Sequence, residues 1–305
     1  MKLSLILICY FSLVVPGAFD WEKRSSLEAP SSRLVHATTF DKAESNVLLF
    51  GGRLMSGGKS AETWIWRSAQ WERINVNGPS EREGHTLSYV ESGNNVVLFG
   101  GSGINQLYND TWVWEDNVWT LRSVEGPLPR WAHTTVSAGN KVLLFGGKGE
   151  NGFFNDTWEW NGSVWRMVST EGPAARYGSK MGTYNGKVIL YGGRDHSGNW
   201  FRDTWEWDGE NWKEIEQNEV DQPGTSAAHF MISTNDQLLL MGGILKGDSF
   251  PFVWEWNGTK WMKQIEKLPF QLDFGSSAYD ETNSEIIVTG NSSSEETIAT
   301  WTAPM

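Results

Sequence analysis

Arginines and histidines recur in this chain at a fixed spacing, and both residue types can do chemistry. Guanidinium groups bind carboxylates and phosphates in a planar fork, and imidazoles bind metals or transfer protons. Intact copies of the motif Pro-x-x-Arg-x-x-His supply Arg33 and His36, Arg82 and His85, and Arg130 and His133. Degenerate copies have Arg176 with Ser179, Ser226 with His229, and Leu272 with Gly275.

The four histidines share the spacing of the repeat, so we interpret them as making the same local hydrogen bond in each unit rather than as a metal site. Repeated carboxylates come just before a Thr-Trp pair, at Glu62, Asp110, Asp156 and Asp203. A repeated acid at the entry to a strand indicates a turn clamp, and no carboxylate pair departs from the repeat as glycoside chemistry would need. We therefore predict no catalytic residue, no metal and no cofactor.

Three further cations, Arg53, Lys148 and Arg194, directly follow pairs of glycines. Two tryptophans lie outside the regular spacing of the others: Trp131 adjoins Arg130, and Trp200 lies in the predicted loop 195–202, on the same basic face. Trp next to Arg suits stacking on a sugar ring or anchoring a peptide. Two alternatives stay open: the motif arginines hydrogen-bond neighbouring loop carbonyls, and Trp200 folds back onto its own loop.

The spacing of glycine and tryptophan indicates internal repeats. A Gly pair follows an apolar run in five copies, and a sixth copy is degenerate at Gly290-Asn291. A Trp follows each copy and recurs every 46 to 49 residues, at Trp64, Trp112, Trp158, Trp205, Trp254 and Trp301. In the first five copies further Trp residues come two and seven positions later.

Each unit predicts four short antiparallel strands. In the third unit we expect strands at 133–137, 141–145, 157–160 and 165–169, joined by turns that contain Gly and Asn. Two Trp residues at a spacing of two point to the same side of the third strand and can fill the wedge between adjacent sheets. The Gly pair would leave room for that bulk. Six such units predict an all-β, six-bladed propeller.

The Gly pair, the Trp that follows it and the length of the period resemble the kelch-repeat propeller family, to which secreted galactose-oxidase-like proteins belong. The resemblance covers residues 19–305 and implies one domain, with blades near 33–77, 82–125, 130–171, 176–217, 226–267 and 272–303 plus 19–25. The segment Trp21-Glu22-Lys23-Arg24 matches the strand missing after Trp301. The N-terminal strand is therefore expected to complete the last blade, which removes an open sheet edge.

In the family that the chain resembles, arginines commonly rim the central channel on the face formed by the loops between blades and between second and third strands. We call this the loop face. The resemblance and the surplus tryptophans predict ligand contacts by Arg33, Arg82, Arg130, Arg176, Arg53, Arg194, Trp131 and Trp200. The predicted function is a binding module for a protein segment or a glycan. The alternative is a sugar-modifying enzyme of mutarotase or epimerase type with its site in the channel mouth. A galactose-oxidase activity needs a Cys–Tyr cross-link, and Cys9 is the single cysteine.

Residues 1–18 predict a secretory signal peptide, with Lys2 before the apolar stretch 3–15. That stretch is shorter than a bilayer span needs, and the alternative is an uncleaved anchor. We expect a secreted, extracytoplasmic monomer with no membrane span after signal removal and no disulfide. The net charge of −12 makes nucleic acid an unsuitable partner, because its phosphates would be repelled.

Overall fold

The computed structural model describes residues 19–217, 222–224, 229–242, 244–245, 248–249, 252–270, 273–291 and 295–305. Over these ranges the chain forms strands and no helix, so no membrane-crossing helix is found there. Six four-stranded antiparallel sheets follow one another, and their first strands contact each other in a closed ring. This confirms the predicted six-bladed propeller. The predicted signal peptide and the motif positions 226 and 272 lie outside the described residues.

The strands of each blade are named a to d in the order in which they pair, from the channel outwards. Blade one has Ala37–Asp41, Asn46–Phe50, Thr63–Arg67 and Gln70–Ile74. Blade two has Thr86–Val90, Asn95–Ser102, Leu107–Glu115 and Val118–Ser123, and blade three has Thr134–Ala138, Lys141–Phe145, Thr157–Trp160 and Trp165–Ser169. Blade four has Lys180–Tyr184, Lys187–Tyr191, Thr204–Trp207 and Trp212–Ile215. Blade five has Phe230–Ser233, Leu238–Met241, Phe252–Trp256 and Trp261–Lys267, and blade six has Asp273–Asp280, Glu285–Asn291, Ala299–Pro304 and Glu22–Arg24. Two short ladders in the loops pair Arg33–Leu34 with Arg53–Leu54 and Ile244–Leu245 with Asp248–Ser249.

The N-terminal strand completes blade six, as predicted. Glu22 pairs with Thr302 and Arg24 with Thr300 in an antiparallel ladder. The Arg24 Nε–H also donates to the Thr302 hydroxyl at 2.8 Å. Because strand d of this blade comes from the other end of the chain, the ring closes through backbone hydrogen bonds and leaves no exposed seam there.

Tryptophans fill the wedges between blades, as the spacing predicted. Trp114 and Trp119 of blade two are buried in one cluster with Leu48 and Phe50 of blade one. The strand-d Trp adds a link that the spacing did not indicate, because its indole N–H donates to a Thr of the preceding blade. These bonds run from Trp71 to Thr300, Trp119 to Thr63, Trp165 to Thr111, Trp212 to Thr157 and Trp261 to Thr204, at 2.8–3.0 Å.

The Gly pairs make room for backbone and histidine rather than for tryptophan, which corrects the expectation from sequence. Gly51 has a φ of +68°, and a Cβ there would lie 2.7 Å from both the Arg82 carbonyl oxygen and the His85 ring. A Cβ on Gly52 would lie 2.9 Å from the His36 Cβ. A side chain at Gly51 would therefore separate blade one from the loop that leads into blade two, and one at Gly52 would displace the loop that leads into blade one.

Candidate functional site

The motif arginines are buried inside the loop face. Arg130 donates through Nη1 and Nη2 to the two carboxylate oxygens of Asp156 at 2.6 and 2.8 Å. Its Nη1 also donates to the Gly146 carbonyl at 3.0 Å, and its Nε donates to the Leu128 carbonyl at 2.9 Å. The guanidinium carbon lies 3.9 Å from the centre of the Phe154 ring. This one side chain therefore ties the loop before strand a to the loop before strand c.

Arg82 and Arg176 repeat this arrangement with its aromatic ring, whereas Arg33 keeps the acid and has the Ser60 hydroxyl as its further partner. The acids are Glu62 for Arg33, Asp110 for Arg82 and Asp203 for Arg176, each at 2.6 Å. All four arginine side chains are 0–1% exposed and have no surface open to a ligand. The sequence left open that these arginines hydrogen-bond neighbouring loop carbonyls, and their observed contacts are of this kind. Each repeated carboxylate binds one of the arginines.

The backbone of these arginines also joins successive blades. The Gly52 N–H of blade one donates to the Arg82 carbonyl of blade two at 2.8 Å, and Gly101 and Arg130 repeat the bond one blade further on. Because the side chain is fixed within its own blade, the carbonyl is presented to the neighbour in a defined position. Arg130 and its equivalents thus link each blade to the one before it.

The motif histidines are buried. The rings of His85 and His133 lie edge-on to Phe50 and Phe99 of the preceding blade, with centroids 5.4 Å apart. His36 instead shares a 2.8 Å hydrogen bond with Thr289, which occupies the Phe position in blade six. Burial lowers the pKa of His36 to about 3 and holds the pKa values of His85 and His133 well below their usual range. The contacts thus reach the preceding blade, whereas the spacing had suggested a bond within each unit. Across the described residues no cluster of His, Cys, Asp and Glu is arranged to hold a metal ion.

On blades one and two, the cations of the loop face are paired with an acid. Glu83 lies 3.5 Å from the Arg53 Nε and 3.2 Å from the Lys59 Nζ. Lys59 also donates to the carbonyls of Ser102 and Gly103 at 2.9 and 2.6 Å. Arg53 remains 51% exposed, but its charge is balanced by Glu83.

On blades three and four, aromatic rings surround cations that have no acidic partner among the described residues. The Lys148 ammonium lies 5.9 Å from the centre of the Trp131 ring and 5.8 Å from that of Phe153. Tyr177 packs beside both rings, with centroid distances of 6.2 and 5.3 Å. The Arg194 guanidinium lies 5.1 Å from the Trp200 ring of its own loop. We call Trp131, Lys148, Phe153, Tyr177, Arg194 and Trp200 the aromatic–cation cluster; all six are half-buried.

A groove of about 880 Å³ adjoins this cluster between the b–c loops of blades two and three. Phe153 belongs to both the cluster and the groove. The groove also contains Ile104 and Leu128, which are 68% and 63% exposed. Exposed aliphatic side chains that line one groove indicate a surface for apolar contact.

Comparison with known proteins places the chain in a family. A family model described as the KLHDC2/KLHL20/DRC7 Kelch-repeats domain matches residues 66–243 and, in a second alignment, 132–281. Together these matches span more than half of the 305 residues.

The chain belongs to the kelch-repeat family.

A solved structure entitled "Structure of YjhT" resembles this kelch propeller with a TM-score of 0.71, covering 90% of this chain and 95% of that one. The sequence identity is 17%, so the likeness concerns the fold alone. A search of curated protein sequences gave no match.

In this kelch chain the structure brings Trp131, Arg194 and Trp200 to one side of the loop face and places Arg53 with blade one. Phe153 and Tyr177 were not predicted. Tyr177 directly follows Arg176 just as Trp131 follows Arg130, and Phe153 lies five residues before Trp158 just as Trp200 lies five before Trp205. Aligning the repeats would therefore have identified both. The burial of the arginines also had a sequence signal. Blade five has Ser226 at the arginine position and Phe252 at the acid position, so both partners are absent together.

Proposed function

We propose that the protein is an extracytoplasmic recognition module that binds a segment of another protein through the aromatic–cation cluster and the adjoining groove. The observation that carries this proposal is the contrast in charge pairing on one face. Glu83 neutralises Arg53 and Lys59, whereas Lys148 and Arg194 have aromatic neighbours and no acidic partner among the described residues. Unpaired cations beside aromatic rings are suited to a carboxylate on a ligand.

The groove favours a protein segment over a glycan. Tryptophan and tyrosine suit either ligand, but Ile104 and Leu128 present aliphatic surface that a sugar ring would not cover well. We therefore expect a ligand with apolar side chains for the groove and acidic side chains for Lys148 and Arg194. No described residue favours the sugar-modifying alternative over binding.

The extracytoplasmic location rests on the sequence of residues 1–18, which combines Lys2, an apolar stretch and small residues in the order of a secretory signal. A chain that has no cysteine beyond this segment would fold without disulfides after export. Expression of the full chain, followed by N-terminal sequencing of the exported protein, would test this location. Cleavage near residue 18 supports the proposal, and a chain retained inside the cell contradicts it.

Selection of peptides from a displayed random library on purified residues 19–305, with a glycan array in parallel, tests the ligand class. We expect enriched peptides that contain acidic and apolar residues. Glycan binding without peptide enrichment would show that the partner class is wrong.

Charge reversal then tests the surface. In Lys148→Glu/Arg194→Glu we expect enriched peptides to bind at least about ten-fold more weakly, which corresponds to about 1.4 kcal/mol. Trp131→Glu should act in the same direction, because it places in blade three the residue type that neutralises Arg53 and Lys59 in blade two. The matched control is Lys213→Glu, since Lys213 is exposed on strand d of blade four. Equal affinities in the control and in the double variant would place the ligand elsewhere.

A further inference from the structure

The central channel is a second cavity, lined by the first strands of the six blades. Its volume is about 470 Å³, and its walls are rich in hydroxyl groups. Several of these hydroxyls bond across blade boundaries: Thr38 to Ser276 at 2.8 Å, Ser88 to Thr135 at 2.7 Å, and the Thr183 N–H to Ser233 at 2.7 Å. The channel wall is thus polar and uncharged over most of its length.

Lys180 is the exception within this wall. It begins strand a of blade four, where the equivalent residues of the other blades are neutral: Ala37, Thr86, Thr134, Phe230 and Ser276. Blade four also has Ser179 at the place of the motif histidine. Two departures from the repeat are therefore adjacent in the chain, and Lys180 lines the channel.

The other cation of the channel, Lys42, already has partners. Its ammonium lies 2.9 Å from a carboxylate oxygen of Glu91 and 2.8 Å from one of Glu281, at the end formed by the a–b turns. Lys180 has no ion pair and no hydrogen bond to any of the described residues. It is half-buried within the channel walls, and this burial lowers its pKa from the usual value of a lysine.

Lys180 shares the lining of the channel with His36 and His133. Its charge contributes to lowering the pKa values of His36 and His133. His133 belongs to the adjacent blade three, but His36 belongs to blade one, on the opposite side of a six-membered ring. Lys180 and imidazoles from two sides of the ring thus line one cavity.

The neighbouring imidazoles supply further polar atoms without protein partners. The Nδ1 atoms of His36 and His133 are buried and have no hydrogen bond within the described part of the chain. Both rings line the same cavity as Lys180. Both Nδ1 atoms lie beneath the surface of the channel wall. The Thr289 hydroxyl donates to the Ser276 carbonyl, so the one proton of the neutral His36 ring lies on Nε2, which donates to Thr289. The donors that a channel ligand can reach are therefore Lys180 and the wall hydroxyls.

We propose that the channel binds a small oxyanion, a carboxylate, phosphate or sulfate group, against the ammonium of Lys180, with the channel hydroxyls as further donors. The cavity size fits a small molecule and not a protein segment. This site is distinct from the aromatic–cation cluster on the loop face, so the two proposals stand or fall separately.

Titration of purified residues 19–305 with phosphate, sulfate, acetate and chloride at constant ionic strength tests the proposal. NMR of ¹³C-labelled lysine side chains follows Lys180, whose signal is assigned by its absence from Lys180→Met. We expect at least one oxyanion to shift this signal saturably and to raise the Lys180 pKa, because a nearby anion favours the charged ammonium. A response to acetate alone would indicate a carboxylate ligand, and a response to phosphate or sulfate would indicate a tetrahedral oxyanion group.

Variants and calorimetry give the second readout. Lys180→Met should weaken oxyanion binding at least about ten-fold, which is about 1.4 kcal/mol. Lys180→Arg should keep most of the binding and decides the question if the Met variant does not fold. Lys213→Met is the control for loss of one positive charge. No saturable shift in the unsubstituted protein, or an equal response to chloride, would overturn the proposal.

Discussion

The two halves of the loop face share one set of buried contacts but differ in the partners of their exposed cations. In blades one and two, Glu83 lies between Arg53 and Lys59 and satisfies both cations. In blades three and four, Trp131 and Tyr177 occupy the positions of Glu83, and the nearby Lys148 and Arg194 contact aromatic rings instead. Below both halves lie the same buried arginine–carboxylate pairs. The comparison shows that the motif arginine stabilises the loops beneath the face in both halves. The residue that follows it determines whether the exposed surface carries a carboxylate or an aromatic ring.

The largest expected change in stability tests whether the buried arginine–carboxylate pairs support both halves of the loop face equally. Arg82→Ala and Arg130→Ala should each destabilise the protein by about 3 kcal/mol, because each leaves a carboxylate without its buried partner. Urea denaturation of residues 19–305 measures the change. Arg67→Ala, which removes an exposed arginine 3.8 Å from Glu44, should change stability by less than about 0.5 kcal/mol. A loss below about 1 kcal/mol for either buried arginine would show that the halves do not share this support.

The buried histidines test the same point through pH. Burial lowers the pKa of His36 to about 3 and also depresses that of His133, whereas an unfolded imidazole titrates near 6.5. The unfolded chain therefore binds more protons below pH 6.5, and stability should fall as pH decreases. Between pH 7 and pH 5 the loss should be about 2 kcal/mol for each such histidine. His36→Gln in blade one and His133→Gln in blade three should each reduce the loss by that amount, as measured from urea midpoints at the two pH values.

Asp41 provides a control of opposite sign for this pH dependence. Burial raises its pKa to about 6, so the folded state takes up a proton there and gains stability as pH falls through 6. Asp41→Asn should therefore make the loss on acidification steeper. If neither histidine variant changes the dependence of the unfolding free energy on pH, the pKa values of these imidazoles are not lowered in the folded protein.

The smallest expected change in stability concerns the exposed cations and compares the loop face of blades one and two with that of blades three and four. Lys59→Met removes the ion pair with Glu83 and the bonds to the Ser102 and Gly103 carbonyls, in a side chain that is only 14% exposed. We expect it to destabilise the protein by about 1–2 kcal/mol. Lys148→Met removes no ion pair and should stay within about 0.5 kcal/mol. Equal thermal or urea stability of the two variants would mean that the charge pairing in blades one and two contributes little.

The spacing of tryptophan was sufficient to predict six blades and the pairing of residues near 21 with those near 301. Such a pattern reports on burial, since a Trp that recurs at a fixed interval packs in the same environment each time. The predicted strands of the third unit differ from the observed ones only in strand a, which begins at Thr134.

The candidate site was less accessible from sequence because a charge pattern does not report burial. In the sequence Arg130 cannot be told from an exposed arginine, and its partner Asp156 is 26 residues away. Only the fold shows that the two side chains are in contact. Lys180 gave no signal of its own, since a single lysine in a strand is ordinary until the strand is known to face a channel. The joint loss of arginine and acid in blade five was the available clue to their pairing.

The ladder between Glu22–Arg24 and Ala299–Pro304 has a consequence for how the molecule is made. Translation delivers the first of these segments long before the second, so the earliest strand to emerge is the last to find its partner. Pairing over such a long stretch of chain has a high entropic cost, and non-local contacts form slowly. Five sheets can assemble locally while the sixth remains an open edge that neighbouring chains could join. We therefore expect closure of the circle to be the late step of folding, and the period before it to be the one in which the nascent protein is most prone to aggregate.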